Sequence, residues 1–457
     1  MHLIPTRLIV LFALLVSAAF AAFGQDTEAV APEGKPPIII IPGITGSELI
    51  NSATGKTVWF RTFRSRDDDL RLPVSPNLAE NRDSLVPGDI IRSVRIIRFL
   101  PEVEIYERLI FALERRGGYT EGKWDEPGEN GHHDKFYVFP YDWRRDNVET
   151  ARLLVTKIAD LKSKLGKPDL RFNVIAHSMG GLITRYAAMY GDSDIPENPE
   201  PSWAGAKHFD QIFMLGTPNE GSVLALNALL NGYGNLGGGV NIPFVRSISR
   251  FDTFTLPAIF QLLPHEHSLI AYDEELKPLK LDIFNVQTWD EYDWSIWRDR
   301  GYNRQFNEKE RALTRPYFMA VLDRAKRFHK ALNAPAKGRV PVSFHLIGAA
   351  CKDTPNAIVL RHDQRRDRWE TFFRPTNFTR SDGTRVTAEE QRELMISNGD
   401  GVVTKRSLTG ETVSKALNTS VIPTATEMLQ CETHTRLVSN TEIQDKLFGI
   451  LRLVTAN

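Results

Sequence analysis

The strongest constraint on this chain is a serine at an abrupt change from a strand-like to a helix-like pattern. The segment reads Ala176-His177-Ser178-Met179-Gly180-Gly181, after the apolar run Phe172–Ala176 and before the apolar helical stretch Met179–Tyr190. Small residues on both sides leave room for a tight turn, which lifts the serine hydroxyl above a sheet at a helix N-terminus. Because small-x-Ser-x-Gly also arises by chance, the flanking strand and helix carry the interpretation. They predict a nucleophile elbow with Ser178 as the nucleophile.

The rest of the chain alternates between strand-like and helix-like segments. The strand-like runs lack polar alternation, as expected of strands buried on both faces. This predicts an α/β fold, with a mostly parallel central sheet and helices on both faces. The predicted strands are Ile38–Ile41, Phe136–Phe139, Phe172–Ala176, Ile212–Leu215, Val342–Ile347 and Val421–Ala425, and the predicted helices are Val103–Arg115, Val148–Leu165, Met179–Tyr190 and Leu313–Leu332. Asp142 is expected to cap a helix that begins at Tyr141–Arg144, in a structural role, with substrate contact by this segment as the alternative.

One segment, residues 224–312, interrupts this alternation. It begins with a Gly/Asn-rich stretch at 231–239 and continues with aromatic and apolar side chains, among them Phe254 and Leu262. A long excursion between sheet strands is more often a functional lid than an idle loop. The alternative is an ordinary helical insertion with a buried apolar face. The predicted division of the chain is an α/β core at 36–223 and 313–457, with a lid or cap at 224–312.

The N-terminus differs from the rest of the chain. Arg7 precedes the apolar run Leu8–Phe20, and small residues follow up to Gly24. A basic start, a short apolar stretch and small residues at the cleavage site are typical of a secretory signal peptide, which we assign to 1–24, with a linker at 25–35. The run is short for a membrane span, and an uncleaved anchor is the alternative. We expect the mature protein to be exported, either secreted or periplasmic.

Composition excludes several classes of function. The 457 residues carry 57 Lys and Arg against 57 Asp and Glu, so no net basic charge points to a nucleic-acid partner. The two cysteines, Cys351 and Cys431, are too few for a thiolate zinc site, and we expect no metal and no cofactor. Each cysteine follows a predicted late strand, so the two could form a disulfide in an oxidising compartment, and the sequence leaves this open.

A serine hydroxyl needs a base that removes its proton. In folds with a nucleophile elbow the acid and then the histidine follow the serine along the chain. His434 comes after the strand Val421–Ala425 and before a C-terminal helix, where a loop could bring its imidazole to Ser178. His177 is expected to pack beside the serine and to point away from it. The other histidines are less well placed: His345 in a strand, His362 in a hairpin, His132 and His133 before the nucleophile, and His265 and His267 in the predicted lid.

Two aspartates are candidates for the acid that orients this histidine. Asp400 lies in a glycine-framed loop, Gly399-Asp400-Gly401, whose alternative reading is a plain Asp-Gly turn. Asp353 follows the predicted strand Val342–Ile347, and its position after a strand is in its favour. The residues by themselves leave this choice open.

Backbone N–H groups near the serine are candidates for an oxyanion hole. The strand Ile38–Ile41 leads into Pro42-Gly43, beside which N–H groups are free to bind an oxyanion, with a plain turn as the alternative. The second donor in such enzymes is the N–H of the residue after the nucleophile, here Met179.

These pieces resemble the lecithin:cholesterol acyltransferase family, which includes lysosomal phospholipase A and phospholipid:diacylglycerol acyltransferase. The matching pieces are Ile41-Pro42-Gly43-Ile44-Thr45-Gly46-Ser47-Glu48-Leu49, Trp59, Tyr141-Asp142-Trp143-Arg144, Ala176-His177-Ser178-Met179-Gly180-Gly181, Leu215-Gly216-Thr217-Pro218, the lid-proximal Leu256–Pro264, and Gly399-Asp400-Gly401. They span most of the chain in the expected order, and the resemblance implies the α/β-hydrolase fold. The cysteine pattern of the animal plasma enzymes is absent.

The resemblance also implies roles for individual residues. Ser178 would be the nucleophile, Asp400 rather than Asp353 the acid, and His434 the base. The N–H groups of Ile44 and Met179 would form the oxyanion hole. Substrate contacts are predicted at Trp59, Phe254 and Leu262.

The function implied by the resemblance is chemistry on a lipid acyl ester, at a membrane or lipoprotein surface. A fatty acyl group would be transferred to an acceptor or hydrolysed through an acyl-enzyme on the serine. One alternative is a plain lipase, phospholipase or carboxylesterase without transferase activity. Another is a lipid-binding protein on the same fold without catalysis.

Overall fold

The computed structural model describes residues 34–61, 69–94, 103–128, 132–233 and 248–453. The predicted signal peptide and nearly all of the predicted linker lie outside these ranges, as does most of the Gly/Asn-rich stretch. In the described ranges, no helix has both the length and the apolar character needed to cross a bilayer.

The strands begin early in the chain and continue to its C-terminal quarter. They are β1 Ile38–Ile41, β2 Ser47–Asn51, β3 Thr57–Trp59, β4 Leu85–Ile90, β5 Ser93–Val94, β6 Val103–Glu104, β7 Thr120–Glu121, β8 Lys135–Val138, β9 Phe172–His177, β10 Phe209–Leu215, β11 Ile270–Tyr272, β12 Pro278–Leu279, β13 Ser343–Gly348, β14 Lys352–Pro355, β15 Ala357–Asp363, β16 Arg368–Phe372, β17 Phe378–Thr379, β18 Arg385–Val386, β19 Ile396–Gly399 and β20 Thr424–Leu429.

The centre of the fold is a seven-stranded sheet in the order β20-β13-β10-β9-β1-β8-β7, and all of its pairs are parallel. β1 consists of four isoleucines that are completely buried between its neighbours β8 and β9. β-branched side chains suit such a position, and burial on both faces explains the missing polar alternation. On one side of β1 lie β8 and β7. On its other side lie β9, β10, β13 and β20. Ligands of open α/β sheets bind at such a switch point, beyond the carboxyl ends of the strands.

The predicted strands occur in the structure, and the last of them is displaced along the chain. Val421–Ala425 was expected to be a strand, whereas β20 begins at Thr424. Val421 and Ile422 are buried core residues that precede the strand, and Pro423 lacks the N–H that a central ladder requires.

Helices lie between the strands. They are α1 Glu107–Arg115, α2 Asn147–Lys164, α3 Met179–Tyr190, α4 Val223–Asn231, α5 Arg250–Phe254, α6 Pro257–Phe260, α7 Val286–Glu291, α8 Tyr302–Gln305, α9 Glu308–Leu332, α10 Ala388–Met395, α11 Lys405–Thr409, α12 Glu411–Leu417 and α13 Thr441–Ile450. The helix predicted from Val103 begins at Glu107, because Val103–Glu104 pairs with β5 as a short strand. α3 has the predicted bounds, is buried along its whole length, and contacts α2, α9, β9 and β10.

The expected helix cap at Asp142 is wrong. Asp146 is the N-cap of α2, where its side chain accepts a hydrogen bond from the N–H of Val148 at 2.9 Å. Asp142 instead forms an ion pair with Arg144, a fully buried guanidinium that also pairs with Asp83. Two carboxylates on one buried arginine compensate its desolvation, so this segment is a structural ion cluster.

Two excursions leave the central sheet on the side of the carboxyl ends of its strands. β11 and β12, from the segment predicted as lid, join β15 and β16 in a four-stranded sheet. β15 and β16 belong to a second excursion, between β13 and β20, which also holds β14, β19 and α10. The two excursions therefore support each other, although they are far apart in sequence.

Candidate active site

The turn between β9 and α3 places Ser178 in a strained conformation. Its φ of 54° and ψ of −123° are a combination that side-chain-bearing residues rarely adopt. The small neighbours are a steric requirement, because a Cβ on Gly181 would lie 1.9 Å from Thr217 Oγ1 and one on Gly180 would lie 2.6 Å from the Pro42 carbonyl. The predicted elbow is therefore present, with the serine at the start of a buried helix.

Three side chains from distant parts of the sequence meet at this serine. The Ser178 hydroxyl lies 3.0 Å from Nε2 of His434, and Nδ1 of His434 lies 2.8 Å from Oδ2 of Asp400. All three are nearly enclosed, with exposed fractions of 7%, 6% and 2% for the serine, histidine and aspartate. With Nδ1–H donating to the carboxylate, Nε2 has a free lone pair that accepts the serine proton. The geometry is that of a serine activated by a base with a fixed tautomer.

The loop after β19 holds Asp400 in its ionised form. Burial opposes ionisation, but the attraction and hydrogen bond of His434, with the N–H groups of Val403 and Val402, outweigh it and hold the pKa of Asp400 below its usual value. Those N–H groups donate to Oδ1 at 2.7 and 2.9 Å. Gly401, with a φ of +94°, provides the backbone turn that returns them to the carboxylate.

The loop after β20 presents His434 from a 3₁₀ turn, His434–Arg436. The main-chain N–H of His434 donates to the Asp400 carbonyl at 3.0 Å, so the two loops are joined through backbone as well as side chains. Gly216, after β10, has a φ of 59°, and a Cβ there would lie 3.0 Å from Nδ1 of His434. Glycine at 216 is thus needed for the imidazole to fit.

The turn after β1 faces the serine from the other side. The N–H of Gly46 donates to the carbonyl of Gly43 at 3.0 Å, and Thr45 takes the left-handed position with a φ of 61°. A Cβ on Gly43 would lie 2.9 Å from Cβ of Ser178, so only glycine allows the turn to approach this closely. The predicted oxyanion turn therefore lies directly against the serine.

Two main-chain N–H groups at this turn and at the helix start are available as donors. No described residue accepts a hydrogen bond from the N–H of Ile44 or of Met179. Ile44 is the second residue of the turn, and Met179 is the first residue of α3, where helix geometry leaves the N–H unpaired. Both positions agree with the predicted oxyanion hole.

An apolar cavity opens above the serine. Its lining includes Ser178 and His434 on the floor and, among the described residues, no lysine, arginine, aspartate or glutamate. Most of its walls are apolar: Ile44, Ile105, Leu224, Ala225, Ala228, Tyr233, Ile259, Leu262, Val402 and Val403. Such a lining suits a hydrocarbon chain and has no charged partner for a polar head group.

The predicted substrate contacts divide into two groups. Leu262 lines the cavity, as expected. Phe254 does not; it is buried in an aromatic cluster and stacks on Phe318 of α9 with ring centroids 5.6 Å apart. The structure thus places Phe254 in the core of the insertion, outside the lining of this cavity, and its contact with substrate stays a prediction.

Trp59 is also placed in a supporting position and does not line the cavity. Its indole N–H donates to the Thr45 carbonyl at 2.9 Å, and its ring packs edge-on against Trp143 at 5.4 Å. Trp143 in turn donates to the Ser47 carbonyl at 3.1 Å. The two tryptophans thus support the predicted oxyanion turn from behind, and substrate contact by Trp59 stays a prediction.

The alternatives weighed for acid and base lie elsewhere. Asp353 is an exposed residue of β14 that pairs with Arg392, which leaves the site to Asp400. His345 is stacked on Phe213 in the sheet, His265 is stacked on His329, and His362 lies in the hairpin of β15 and β16.

Two features of the site escaped the sequence reasoning. Tyr106, just before α1, accepts a hydrogen bond from the N–H of Gly43 at 2.9 Å and lies 2.9 Å from Nδ1 of His177. Its only sequence signal was a position in an apolar pattern, and that pattern indicated core. Gly216 was noticed only within Leu215-Gly216-Thr217-Pro218, with no hint that it contacts the base.

The two cysteines form a disulfide, the possibility that the sequence left open. Cys351 and Cys431, 80 residues apart, have Cα atoms at 5.5 Å. Cys431 lies three residues before His434, and the N–H of Cys351 donates to the Gly399 carbonyl next to Asp400. The bridge therefore joins the loop of the base to the strand pair that carries the acid.

The model of the lecithin:cholesterol acyltransferase family matches residues 128–311, which include Ser178 but neither Asp400 nor His434. No curated protein matches this sequence.

One solved structure shows the same architecture at low sequence identity. One chain of the Tle4–Tli4 complex is 14% identical with a TM-score of 0.57, and the match covers 92% of this chain and 98% of that one. The mature lipase BlEst2 of Bacillus licheniformis is 12% identical over 94% of this chain and 97% of that one, with a TM-score of 0.34. The predicted α/β-hydrolase fold is confirmed, and residues 128–311 are similar to the lecithin:cholesterol acyltransferase family.

Proposed function

We propose that this protein is an exported lipid acyl-ester hydrolase and acyltransferase that works through an acyl-enzyme on Ser178. The single observation that carries the proposal is the hydrogen-bonded series Ser178, His434 and Asp400 on the floor of an uncharged, apolar cavity.

The first half of the reaction forms the acyl-enzyme. Nε2 of His434 takes the hydroxyl proton as Ser178 attacks the ester carbonyl, and the ionised Asp400 stabilises the resulting imidazolium. The N–H groups of Ile44 and Met179 receive the negative charge on the carbonyl oxygen. Removal of one such donor typically costs roughly 3 to 4 kcal/mol in the transition state. The imidazolium then protonates the leaving alcohol.

The second half resolves the acyl-enzyme by the same groups in reverse. His434 takes a proton from water, which gives a free fatty acid, or from an alcohol, which gives a new ester. The apolar cavity favours an acceptor that is itself apolar, because water is disfavoured next to such walls. Acyl transfer to a lipid alcohol is therefore the finer proposal, and hydrolysis alone is its alternative.

The lining of the cavity supports a fatty acyl group as the part of the substrate that is recognised. Without a charged side chain among its described residues, the cavity offers no fixed partner for a phosphate or ammonium group. We infer that the head group stays outside it, at the membrane or lipoprotein surface that supplies the lipid.

Export is supported by two independent features. The N-terminal 24 residues have the pattern of a secretory signal peptide. The disulfide between Cys351 and Cys431 is a bond that persists in oxidising compartments and is rare in the cytosol.

A fluorophosphonate probe tests the serine chemistry. Wild-type protein should be labelled once, at Ser178, and Ser178→Ala should not be labelled. Ser222→Ala is a matched control, because Ser222 lines the same cavity but has no base beside it. Labelling that is absent in the wild type, or that persists in Ser178→Ala, would leave a lipid-binding protein without catalysis as the better account.

Product analysis separates transfer from hydrolysis. Protein mixed with phospholipid vesicles and a long-chain alcohol should release fatty acid and also form the ester of that alcohol. Release of fatty acid with no ester at any alcohol concentration would reduce the proposal to a plain lipase or phospholipase.

A further inference from the structure

We propose that Tyr106 and His177 are positioning residues, which tie the oxyanion turn to the loop of His434 through one continuous chain of hydrogen bonds. The inference rests on the proposed function of the same site. It assigns a task to a buried histidine and a buried tyrosine that the acyl-transfer steps do not themselves use.

The groups at the two ends of this series of hydrogen bonds fix which atom donates and which accepts in each of them. The N–H of Gly43 donates to the Tyr106 hydroxyl at 2.9 Å, so that hydroxyl uses its own hydrogen toward Nδ1 of His177, also at 2.9 Å. Nε2 of His177 lies 3.1 Å from the main-chain carbonyl of His434, which can only accept. His177 is therefore neutral with its proton on Nε2, and the chain runs from Gly43 through two side chains to His434.

At its first end the chain orients the oxyanion turn. The carbonyl of Gly43 is already held by the N–H of Gly46, and Tyr106 fixes its N–H. With both polar groups of Gly43 committed, the following peptide has one orientation, which leaves the N–H of Ile44 unpaired next to the serine. Preorganised donors cost no reorganisation when the negative charge develops.

At its second end the chain holds the main chain of the base. The N–H of His434 donates to Asp400, and its carbonyl accepts from His177, so the residue is held on both sides of its Cα. The side chain of His434 can then reach Ser178 with no freedom left in its backbone. The chain thus sets the distance between the oxyanion donor and the base, on opposite sides of one serine.

The chemistry of His177 fits this task. Its ring centroid lies 5.0 Å from that of His434, so a positive charge on it would oppose the imidazolium that forms during catalysis. Burial first, and then the charge of His434, lower the pKa of His177 to about 3, against the weaker opposite effect of its hydrogen bond to the His434 carbonyl. A buried, neutral donor holds the carbonyl without this repulsion.

Substitutions that keep the rings test the proposal. Tyr106→Phe removes only the hydroxyl, and His177→Phe removes both ring nitrogens at similar volume. His177→Gln is the conservative variant, because its amide can still donate to the His434 carbonyl. Tyr190→Phe is the matched control: Tyr190 is also buried on α3, and its hydroxyl donates to the Ala331 carbonyl at 2.8 Å, far along the helix from the serine.

The measurements are the rate constant of fluorophosphonate labelling, kcat and KM on a p-nitrophenyl ester, and Tm. We expect kcat and the labelling rate to fall about tenfold in Tyr106→Phe and about a hundredfold in His177→Phe, with KM within twofold. The double variant should be no slower than His177→Phe, because both changes break the same chain. His177→Gln should recover about tenfold over His177→Phe, and Tyr190→Phe should react like the wild type.

A purely structural role predicts a different pattern. Tm would fall in every variant, the control included, while the rate constants of the folded fraction stayed at the wild-type level; this result, or additive losses in the double variant, would overturn the inference. Because Tyr106→Phe keeps the packed ring, this variant should remain folded, and its rate constants alone can distinguish a positioning role from a purely structural one. A wild type that does not react with the probe would instead overturn the proposed function, and the inference with it.

Discussion

The nucleophile elbow and the two loops that complete the site are organised in opposite ways. In the elbow, strand, serine and helix follow one another within 19 residues, Phe172–Tyr190, and each contact of the serine turn is set by small neighbours. The proposed acid, Asp400, and the proposed base, His434, follow β19 and β20, more than 200 residues after the elbow in sequence. They are held by a shared backbone hydrogen bond and a disulfide.

This difference shows which parts of the site are specified by local sequence and which depend on tertiary contacts. Local sterics dictate the elbow, so its short sequence is sufficient to specify it. Tertiary contacts alone place the loops, and their short sequences resemble ordinary turns. The family match has the same asymmetry, because it covers the elbow and stops before Asp400 and His434. The following predictions test whether the loops are as essential as the elbow.

The largest expected effect separates the two candidate acids. Asp400→Asn should keep the fold but lower kcat about 10⁴-fold, because an amide stabilises the wrong tautomer of His434 and cannot balance its positive charge. Asp353→Asn, on the exposed β14, should leave kcat unchanged. Steady-state kinetics of both variants decide the matter, and equal rates in the two would return the acid to an open question.

The next effect concerns the disulfide. Replacement of both Cys351 and Cys431 by serine should lower the free energy of unfolding by about 4 kcal/mol. The reason is that the unfolded chain gains conformational entropy when the loop between the two cysteines, 80 residues apart, is no longer closed. Hydrogen exchange should become faster around 431–436 and stay unchanged in 172–190. Urea unfolding and exchange mass spectrometry measure the two quantities. Equal loosening in both regions would show that the bridge acts on the whole fold, with no particular link to the base.

A smaller effect is the dependence of stability on pH that comes from His177. Its pKa of about 3 in the folded protein lies below the ordinary value of 6.5. The unfolded chain therefore takes up a proton between these values while the folded protein does not. With respect to His177 alone, the free energy of unfolding is therefore highest above about pH 6.5. It falls as the pH decreases toward 3, by up to about 1.4 kcal/mol per pH unit.

The substitution His177→Phe isolates that contribution. The variant should lose stability less steeply between pH 6 and pH 4 than the wild type in urea titrations. Parallel slopes in the two proteins would mean that His177 accepts a proton in the folded state, contrary to its place beside His434.

The smallest expected effects distinguish the cavity wall from the support behind the oxyanion turn. Leu262→Trp narrows the cavity and should shift preference several-fold toward shorter acyl chains, since one methylene in a fitted apolar pocket is worth about 1–3 kcal/mol. Trp59→Phe should leave chain-length preference unchanged and lower kcat by a few-fold, because the turn loses the hydrogen bond to Thr45. A series of esters of increasing length measures both. A changed length preference in Trp59→Phe would support the predicted contact of Trp59 with substrate.

The sequence predicted most of the sheet and the strand–turn–helix elbow around Ser178, and the reasons for success and failure are physical. Ile38–Ile41 and Met179–Tyr190 have strong local patterns, and their bounds agree with the structure. Val421 and Ile422 have the apolar character of a strand but pack into the core before β20 begins. Trp59 is a large aromatic residue of the kind expected in a lipid-binding pocket. Only the tertiary structure reveals that its indole donates to the Thr45 carbonyl and supports the oxyanion turn. The sequence signal of Tyr106 indicated only a core position, because its partners are Gly43 and His177, both distant in sequence.

The central claim is that His434 is the base of Ser178, although 256 residues separate them. The most direct measurement is the rate of fluorophosphonate labelling in His434→Ala, compared with wild type at equal folded concentration. Labelling at Ser178 should be slower by about 10⁴-fold or more with Tm little changed, since the substitution removes the base and little of the core. Labelling within tenfold of the wild-type rate would show that another group activates the serine and would contradict the account.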